Sequence, residues 1–278
     1  MVAENMELEA LRFDVDGSVG TITMNQPKRR NALSPAMTGG LKEVLRSIQF
    51  DSGLRALILT GTEGVFCAGG DLQNLNADAE RNTAEDRMRF YRHHEWFQIF
   101  ANLEFPVIAA IDGAAYGAGF SLALGADFIL CSERARLCCV FPRIGLVPDI
   151  GAFHTLPRIV GLQKAKEIMF TGRPIDAEEA QSLGIAMSVH PADELAGAAR
   201  SLAERLCKAS TPALGATKRI LNQSFDVDAR ALIEMEAGAQ TMALSSAYHR
   251  DAIQRFLDKR PLEYDWERMD REDGEAAE

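Results

Sequence analysis

Three short apolar runs constrain this chain most: residues 55–60 (RALILT), 107–111 (VIAAI) and 128–131 (FILC), with helical periodicity filling the intervals between them. Each run reads as a buried strand, and their alternation with helices predicts an α/β fold. Residues 11–25 alternate in polarity and contain the Asp16-Gly17 turn pair, which predicts a β-hairpin. Ser34-Pro35 then supplies an N-cap and a proline for the first helical turn, opening a helix to about Phe50 with Met37, Leu41, Val44, Leu45 and Ile48 inward. The resulting unit is strand, strand, helix. Asp176 with Glu179 marks the start of a short helix, after which residues 185–189 return as a strand. Beyond residue 195 the pattern is helical, through 202–207, 212–224 and one long stretch over 229–257. From Asp265 the sequence WERMDREDGEAAE is acidic and almost devoid of apolar side chains, which predicts a frayed or disordered end.

Charge and composition narrow the function classes. A net charge of -10 leaves no broad electrostatic footprint for nucleic acid or an anionic membrane, so any basic site is local. The cysteines (Cys67, Cys131, Cys138, Cys139, Cys207) form no CxxC pair and are odd in number, which predicts reduced thiols in a cytoplasmic protein. Glu4, Glu7 and Glu9 stand where a secretory leader would be basic and then apolar. The most apolar stretch, 107–131, is interrupted by Asp112 and Asp127 and is expected in a core rather than a bilayer. The histidines at 93, 94, 154, 190 and 249 show no metal-binding spacing, so no metal site is expected. Tyr91, Trp96, Phe97 and Phe100 recur at helical spacing and fit either the wall of a ligand site or plain core.

Two segments of small residues carry possible chemistry. The first, 65–72 (VFCAGGDL), follows the RALILT strand, and its glycines let backbone approach a ligand closely. Taken alone it reads equally as a tight loop with Asp71 as a cap or ion-pair partner. In the second, 111–127 (IDGAAYGAGFSLALGAD), a strand meets a small-residue loop and then a helix. First-turn amides of such a helix lack an intrahelical acceptor and can hold a negatively charged oxygen, although close helix packing explains the same residues. Gly117-x-Gly119 begins like a dinucleotide fingerprint, but Leu122 stands where its third glycine belongs.

Together these segments resemble the enoyl-CoA hydratase/isomerase, or crotonase, family. Residues 25–33 (NQPKRRNAL) are similar to its N-terminal coenzyme A loop, and 105–113 (FPVIAAIDG) to the strand before its second oxyanion amide. Downstream, 144–151 (IGLVPDIG), 156–161 (LPRIVG) and 256–261 (FLDKRP) continue the resemblance, which runs from about residue 11 to 266. It implies a spiral of repeated β-β-α units over residues 1–199, a helical region over 200–264 serving oligomerisation, and the acidic tail over 265–278. It also implies an acyl-coenzyme A thioester as substrate with no further cofactor, and assembly as a homotrimer or dimer of trimers.

Carried over residue by residue, the resemblance places the oxyanion amides on Gly70 and Ala118. Lys28, Arg29 and Arg30 fall in the loop expected to meet the coenzyme A phosphates. Ala68, Asp71 and Leu72 fall where adenine and pantetheine are expected, and Phe141 and Lys259 are further substrate-contact candidates. Hydratases of this family use two glutamates to manage water, and here those positions hold Ser121 and Phe141. Serine has no proton affinity near neutrality and phenylalanine has no polar group. Ser121 is left as a hydrogen-bonding candidate, or as a packed helix residue; as a nucleophile it lacks a GxSxG elbow and an assignable histidine. Asp149, in the VPD motif, sits where isomerase branches such as the ring-opening isomerase of phenylacetate breakdown carry an acid. In an apolar pocket it can shuttle a proton, and capping a helix that begins near Ile150 is a compatible role. The expectation is double-bond isomerisation through an enolate, with atypical hydration or non-catalytic acyl-CoA binding as the alternatives.

Overall fold

The Asp16-Gly17 pair folds the chain back on itself, so that β2 (Leu11–Asp16) and β3 (Val19–Met24) pair antiparallel from Leu11 opposite Met24 to Asp16 opposite Val19. This is a computed structural model, and it describes residues 3–51, 53–76 and 82–276. A short strand not read from the sequence, β1 (Met6–Glu7), adds to the free edge of β2. Ser34 then caps α1 (Pro35–Ile48) by accepting from the Met37 N–H at 3.2 Å, and α1 buries Met37, Leu41, Val44, Leu45 and Ile48 as its spacing requires.

The middle of the chain repeats one move. Each turn lays a strand in a large sheet and the next strand in a small one. The pairs are β4 (Ala56–Gly61) with β5 (Val65–Cys67), β6 (Val107–Ile111) with β7 (Ala114–Tyr116), and β8 (Phe128–Ser132) with β9 (Arg136–Cys138). The helices α2 (Leu72–Asn76) and α3 (Thr83–Ala101) separate the first two pairs, and α4 (Ala118–Ala123) separates the second from the third. After β9 come α5 (Ala152–Val160), α6 (Leu162–Thr171), β10 (Pro174–Asp176), α7 (Ala177–Ser182) and β11 (Ser188–His190). The large sheet has seven strands in the order β1-β2-β3-β4-β6-β8-β11, parallel from β3 onward, and the small sheet has four in the order β10-β9-β7-β5. The architecture is the expected α/β spiral.

Side-chain alternation explains how the large sheet is covered on both faces. Along β4, Leu57 and Leu59 enter the main core with the small sheet and α1, whereas Ala56 and Ile58 face α8 (Leu195–Leu206). All five residues of β6 are buried for the same reason. Helix α8 thus belongs to the core, and the boundary expected near residue 200 falls inside it. The remaining helices are α9 (Thr211–Gln223), α10 (Ala229–Leu244), α11 (Ala247–Leu257) and α12 (Trp266–Ala276). Lys218 of α9 is buried, 2.6 Å from the Asp127 carboxylate and donating to the Phe105 carbonyl at 2.7 Å, which ties α9 to the start of β6.

Three local expectations differ from the structure. The strand expected over 185–189 starts only at Ser188, because the amides of Ile185 and Ala186 are taken by the Ala180 carbonyl. The helical stretch over 229–257 breaks at Ser246, whose hydroxyl caps α11 by accepting from His249 N. The acidic end, expected to fray, forms α12: Trp266 lies under the Arg205 guanidinium at 3.9 Å and Met269 is 2% exposed, so two apolar side chains in an otherwise polar run suffice to dock it. Positions 277 and 278 lie outside the described residues.

Candidate active site

The basic loop after β3 is held by a side chain the sequence reading passed over. Arg30 and Asn31 both take left-handed backbone angles, φ 51° and 54°. Asn31 is fully buried; its Oδ1 accepts from Gln26 N at 2.8 Å and its Nδ2 donates to the Val65 carbonyl at 2.7 Å. Its asparagine identity follows from both facts, since Asn tolerates this conformation and carries a donor and an acceptor on one short side chain. The loop is then bonded to the segment after β5, Leu33 N donating to Gly69 O at 2.8 Å and Ala68 N to Arg30 O at 3.0 Å. Asp71, 8% exposed, accepts from Arg29 at 2.5 Å and from the amide of Gln73 at 3.1 Å, so both roles open for it from sequence, ion pair and cap, are realised.

The two amides are brought together by close backbone approach. A Cβ on Gly69 would lie 2.6 Å from the Tyr116 carbonyl and 3.4 Å from the Ala118 nitrogen, and Gly69 has φ 98°, so only glycine fits. The backbone just before Gly70 therefore runs close beside the start of α4. Ala118 is the first residue of α4, where an N–H has no intrahelical acceptor, and among the described residues the Gly70 N–H has no backbone acceptor. Both amides thus flank one close approach of the two segments, and both residues line one cavity. Ser121, one turn along α4, is 1% exposed and donates to the Gly117 carbonyl at 3.3 Å.

Asp149 follows the short helical turn Phe141–Ile144, in a strained stretch of backbone. Ile150 has φ 46°, a left-handed angle unfavourable for a β-branched residue, and Gly151 follows at φ 75°. A Cβ on Gly151 would lie 2.5 Å from the Phe97 ring, so this turn rests on α3. Helix α5 begins only at Ala152 with Gly151 as its N-cap, and the Asp149 side chain caps nothing; its main-chain oxygen accepts from Ala152 N at 3.1 Å. Among the described residues the buried carboxyl Oδ1 has no hydrogen-bond partner. Burial raises the Asp149 pKa to about 6. The adjacent Cys139 thiol is pushed up to about 12, first by burial and further by Cys138 and Asp149.

One cavity of about 590 Å³ collects these features. Lys28, Arg29, Arg30, Ala68, Gly70, Asp71, Leu72, Ala118, Phe141 and Asp149 all line it. Ser121 and Lys259 do not: Ser121 bonds back within its own helix, and Lys259 lies just beyond α11. Of the aromatic stripe, Trp96, Phe97 and Phe100 are core and Tyr91 is exposed; the residues of α3 that reach the cavity are Arg89, Phe90, His93 and His94. His154 is not among the lining residues.

Comparison with known proteins identifies the family. The family model for enoyl-CoA hydratase/isomerase matches residues 14–267. The chain belongs to the enoyl-CoA hydratase/isomerase family. The 1,2-epoxyphenylacetyl-CoA isomerase of Escherichia coli K12 is 33% identical over 92% of this chain and 98% of its own length. The short-chain-enoyl-CoA hydratase of Clostridium acetobutylicum is 32% identical over 93% and 98%. Among solved structures, an enoyl-CoA hydratase/isomerase from Cupriavidus metallidurans CH34 superposes with a TM-score of 0.89 at 41% identity, covering 93% of this chain and 97% of that one. The protein is thus an enzyme of the crotonase superfamily with a crotonase fold. Among the described residues no helix is long and apolar enough to cross a membrane.

Within this hydratase/isomerase frame the acid-base inventory of the cavity is short. Among the described residues its wall contains the carboxylates Asp71 and Asp149 and the imidazoles His93 and His94. Asp71 is engaged by Arg29 and by the start of α2, whereas among the described residues the buried Asp149 Oδ1 has no hydrogen-bond partner.

Proposed function

We propose that this enzyme isomerises the double bond of an enoyl-coenzyme A thioester, with Asp149 as the group that moves the proton. The observation that carries this reading is the buried, unpartnered Asp149 oxygen in the same cavity as the Gly70 and Ala118 amides. In a β,γ-unsaturated thioester the Asp149 carboxylate takes a proton from Cα, and the electron pair moves onto the thioester oxygen. The two amides stabilise that dienolate oxygen; each such donor contributes about 3 kcal/mol to a transition state of this kind. The protonated Asp149 then delivers its proton to Cγ, the double bond ends between Cα and Cβ, and no water is consumed. A carboxyl with a pKa of about 6 is suited to both halves, since it is ionised near neutrality and still a usable acid.

Coenzyme A itself is assigned to the mouth of the cavity, with Lys28, Arg29 and Arg30 toward its phosphates and Ala68 and Leu72 along its length. The reaction requires no cofactor beyond the coenzyme A that the substrate carries. Hydration is disfavoured because Phe141 in the cavity wall has no polar atom and Ser121 lies outside it. The test is deuterium exchange at Cα and Cγ of an enoyl thioester, with Asp149→Asn alongside. The variant should lose exchange by at least a hundredfold while holding acyl-CoA affinity within about threefold. Unchanged exchange in the variant would remove Asp149 from this role.

A further inference from the structure

Glycine tolerates most backbone angles and holds none of them by itself, so the Gly69-Gly70 pair needs outside restraints to present one amide in one direction. Gly69 is buried at φ 98° and is restrained on both sides. On its carbonyl side, Leu33 N donates to Gly69 O at 2.8 Å. N–H and C=O point in opposite directions across a trans peptide, and among the described residues no peptide is cis, so this bond turns the Gly70 N–H away from Leu33. On its amide side, Gly69 N donates to the Cys67 sulfur at 3.4 Å. The same sulfur bears on the second segment: a Cβ on Gly119, in the first turn of α4, would lie 2.9 Å from Cys67 Sγ and 2.7 Å from Cys67 Cβ. Cys67 is fully buried at the end of β5. One thiol thus lies against both the loop that leads to Gly70 and the helical turn that starts at Ala118.

We propose that Cys67 is a positioning residue for the enolate-stabilising amides, its sulfur fixing both the orientation of the Gly70 N–H and its separation from the start of α4. This rests on the reading of Gly70 and Ala118 as the oxyanion donors and says what holds them in place. Among the described residues no backbone group accepts from Gly69 N, so without the sulfur a buried N–H is left unsatisfied and its peptide is free to turn toward another acceptor. The turn would carry the neighbouring Gly70 amide with it. Donors fixed before charge develops need no reorganisation when it does, which is how a group remote from the substrate can act on rate. Burial pushes the Cys67 thiol up to about 12, so near neutrality it stays uncharged and adds no negative charge beside the oxygen it helps to stabilise.

Isotope-edited infrared spectroscopy of the full-length protein reads the amides directly. Octanoyl-CoA with heavy carbon in its thioester carbonyl is saturated and unreactive, and hydrogen bonds to that oxygen lower its stretching frequency. The wild type should show a downshift on binding. Cys67→Ala should lose at least half of it, and deuterium exchange at Cα of a β,γ-unsaturated hexenoyl-CoA should fall about tenfold while octanoyl-CoA affinity stays within about threefold. Cys67→Ser returns an acceptor and should recover most of the downshift and of the exchange rate. Cys67→Val fills the space without an acceptor and should resemble the alanine variant; it takes that variant's place if circular dichroism shows that alanine leaves the core unfolded. A purely structural thiol would lower stability while folded, saturated variants kept the wild-type frequency. Full downshift and full exchange in folded Cys67→Ala or Cys67→Val would overturn this proposal alone. No downshift in the wild type at saturating octanoyl-CoA would overturn the oxyanion reading of Gly70 and Ala118 and this proposal with it.

Discussion

The Arg29 guanidinium donates to the Asp71 carboxylate at 2.5 Å in the wall of the cavity, adding an ion pair to the links that the Asn31 side chain and backbone hydrogen bonds make between the same two segments. Arg29 is nearly half exposed, so the pair contributes on the order of 1 kcal/mol or less and is weakened by salt. Its importance is positional. Asp71→Ala releases both Arg29 and the first turn of α2, and should raise KM for an enoyl-CoA about three- to tenfold with kcat nearly unchanged. Steady-state kinetics at low and high ionic strength measure this; a loss confined to kcat would contradict the positional role.

Gly151→Ala should act on kcat instead. The added methyl meets Phe97 at 2.5 Å and the backbone sits at φ 75°, so the Asp149 turn must shift. A destabilisation of about 1–3 kcal/mol is expected from strain at such a position. The sharper readout is a fall in kcat of tenfold or more with unchanged affinity for a saturated acyl-CoA, since misplacing a proton carrier by an ångström has effects of that size.

The pKa of Asp149 makes opposite predictions for activity and stability. Proton abstraction needs the carboxylate, so kcat should rise with pH through about 6 and level off above it. For stability, the folded pKa of about 6 lies above the ordinary 3.8, so the native state binds more protons than the unfolded state between those values. Stability from this group is therefore full below about pH 4 and is lost as pH rises through 6. At about two units and 1.36 kcal/mol per unit, the loss is on the order of 3 kcal/mol. Asp149→Asn removes the buried charge, so by urea denaturation it should match the wild type near pH 4 and exceed it by up to that amount at pH 8. A variant less stable than the wild type at pH 8 would show that the carboxylate has a stabilising partner.

How far the site was legible from the sequence differs between its parts. The strands, the hairpin and the Ser34 cap follow from local periodicity and turn chemistry, and the family resemblance of 65–72 and 111–127 named Gly70 and Ala118, which line one cavity. What escaped was set by contacts between distant segments. Asn31 is one polar residue among several in NQPKRRNAL, and only the approach of Val65 reveals why it is buried. The left-handed Ile150 contradicts its own preference and is explained by the Phe97 surface under Gly151. Arg89 and His93 lie in a helix whose apolar periodicity points elsewhere, so their inward face became visible only once α3 was docked.

The C-terminal helices carry a prediction about assembly. Among the described residues α10 and α11 bury no side chain, while Ile233, Leu244, Phe256 and Leu257 are each more than half exposed. Covering a side chain of this kind contributes about 1.5–3 kcal/mol, so these faces are expected to pack on further copies of the chain. Light scattering should give a trimer or hexamer, and Phe256→Asp with Leu257→Asp should shift the mass toward the monomer. A wild-type monomer at micromolar concentration would contradict the assignment.

The division of labour in the cavity has an evolutionary consequence. The segment of Gly70 and the basic loop are cross-linked to one another through Asn31, Gly69 and Asp71, whereas another part of the wall comes from α3 and the turn after Phe141. Substitutions on α3 can therefore reshape the cavity wall without disturbing the backbone proposed to stabilise the enolate. Divergence in diet, with the reaction's electrostatics inherited intact, is what such a scaffold permits.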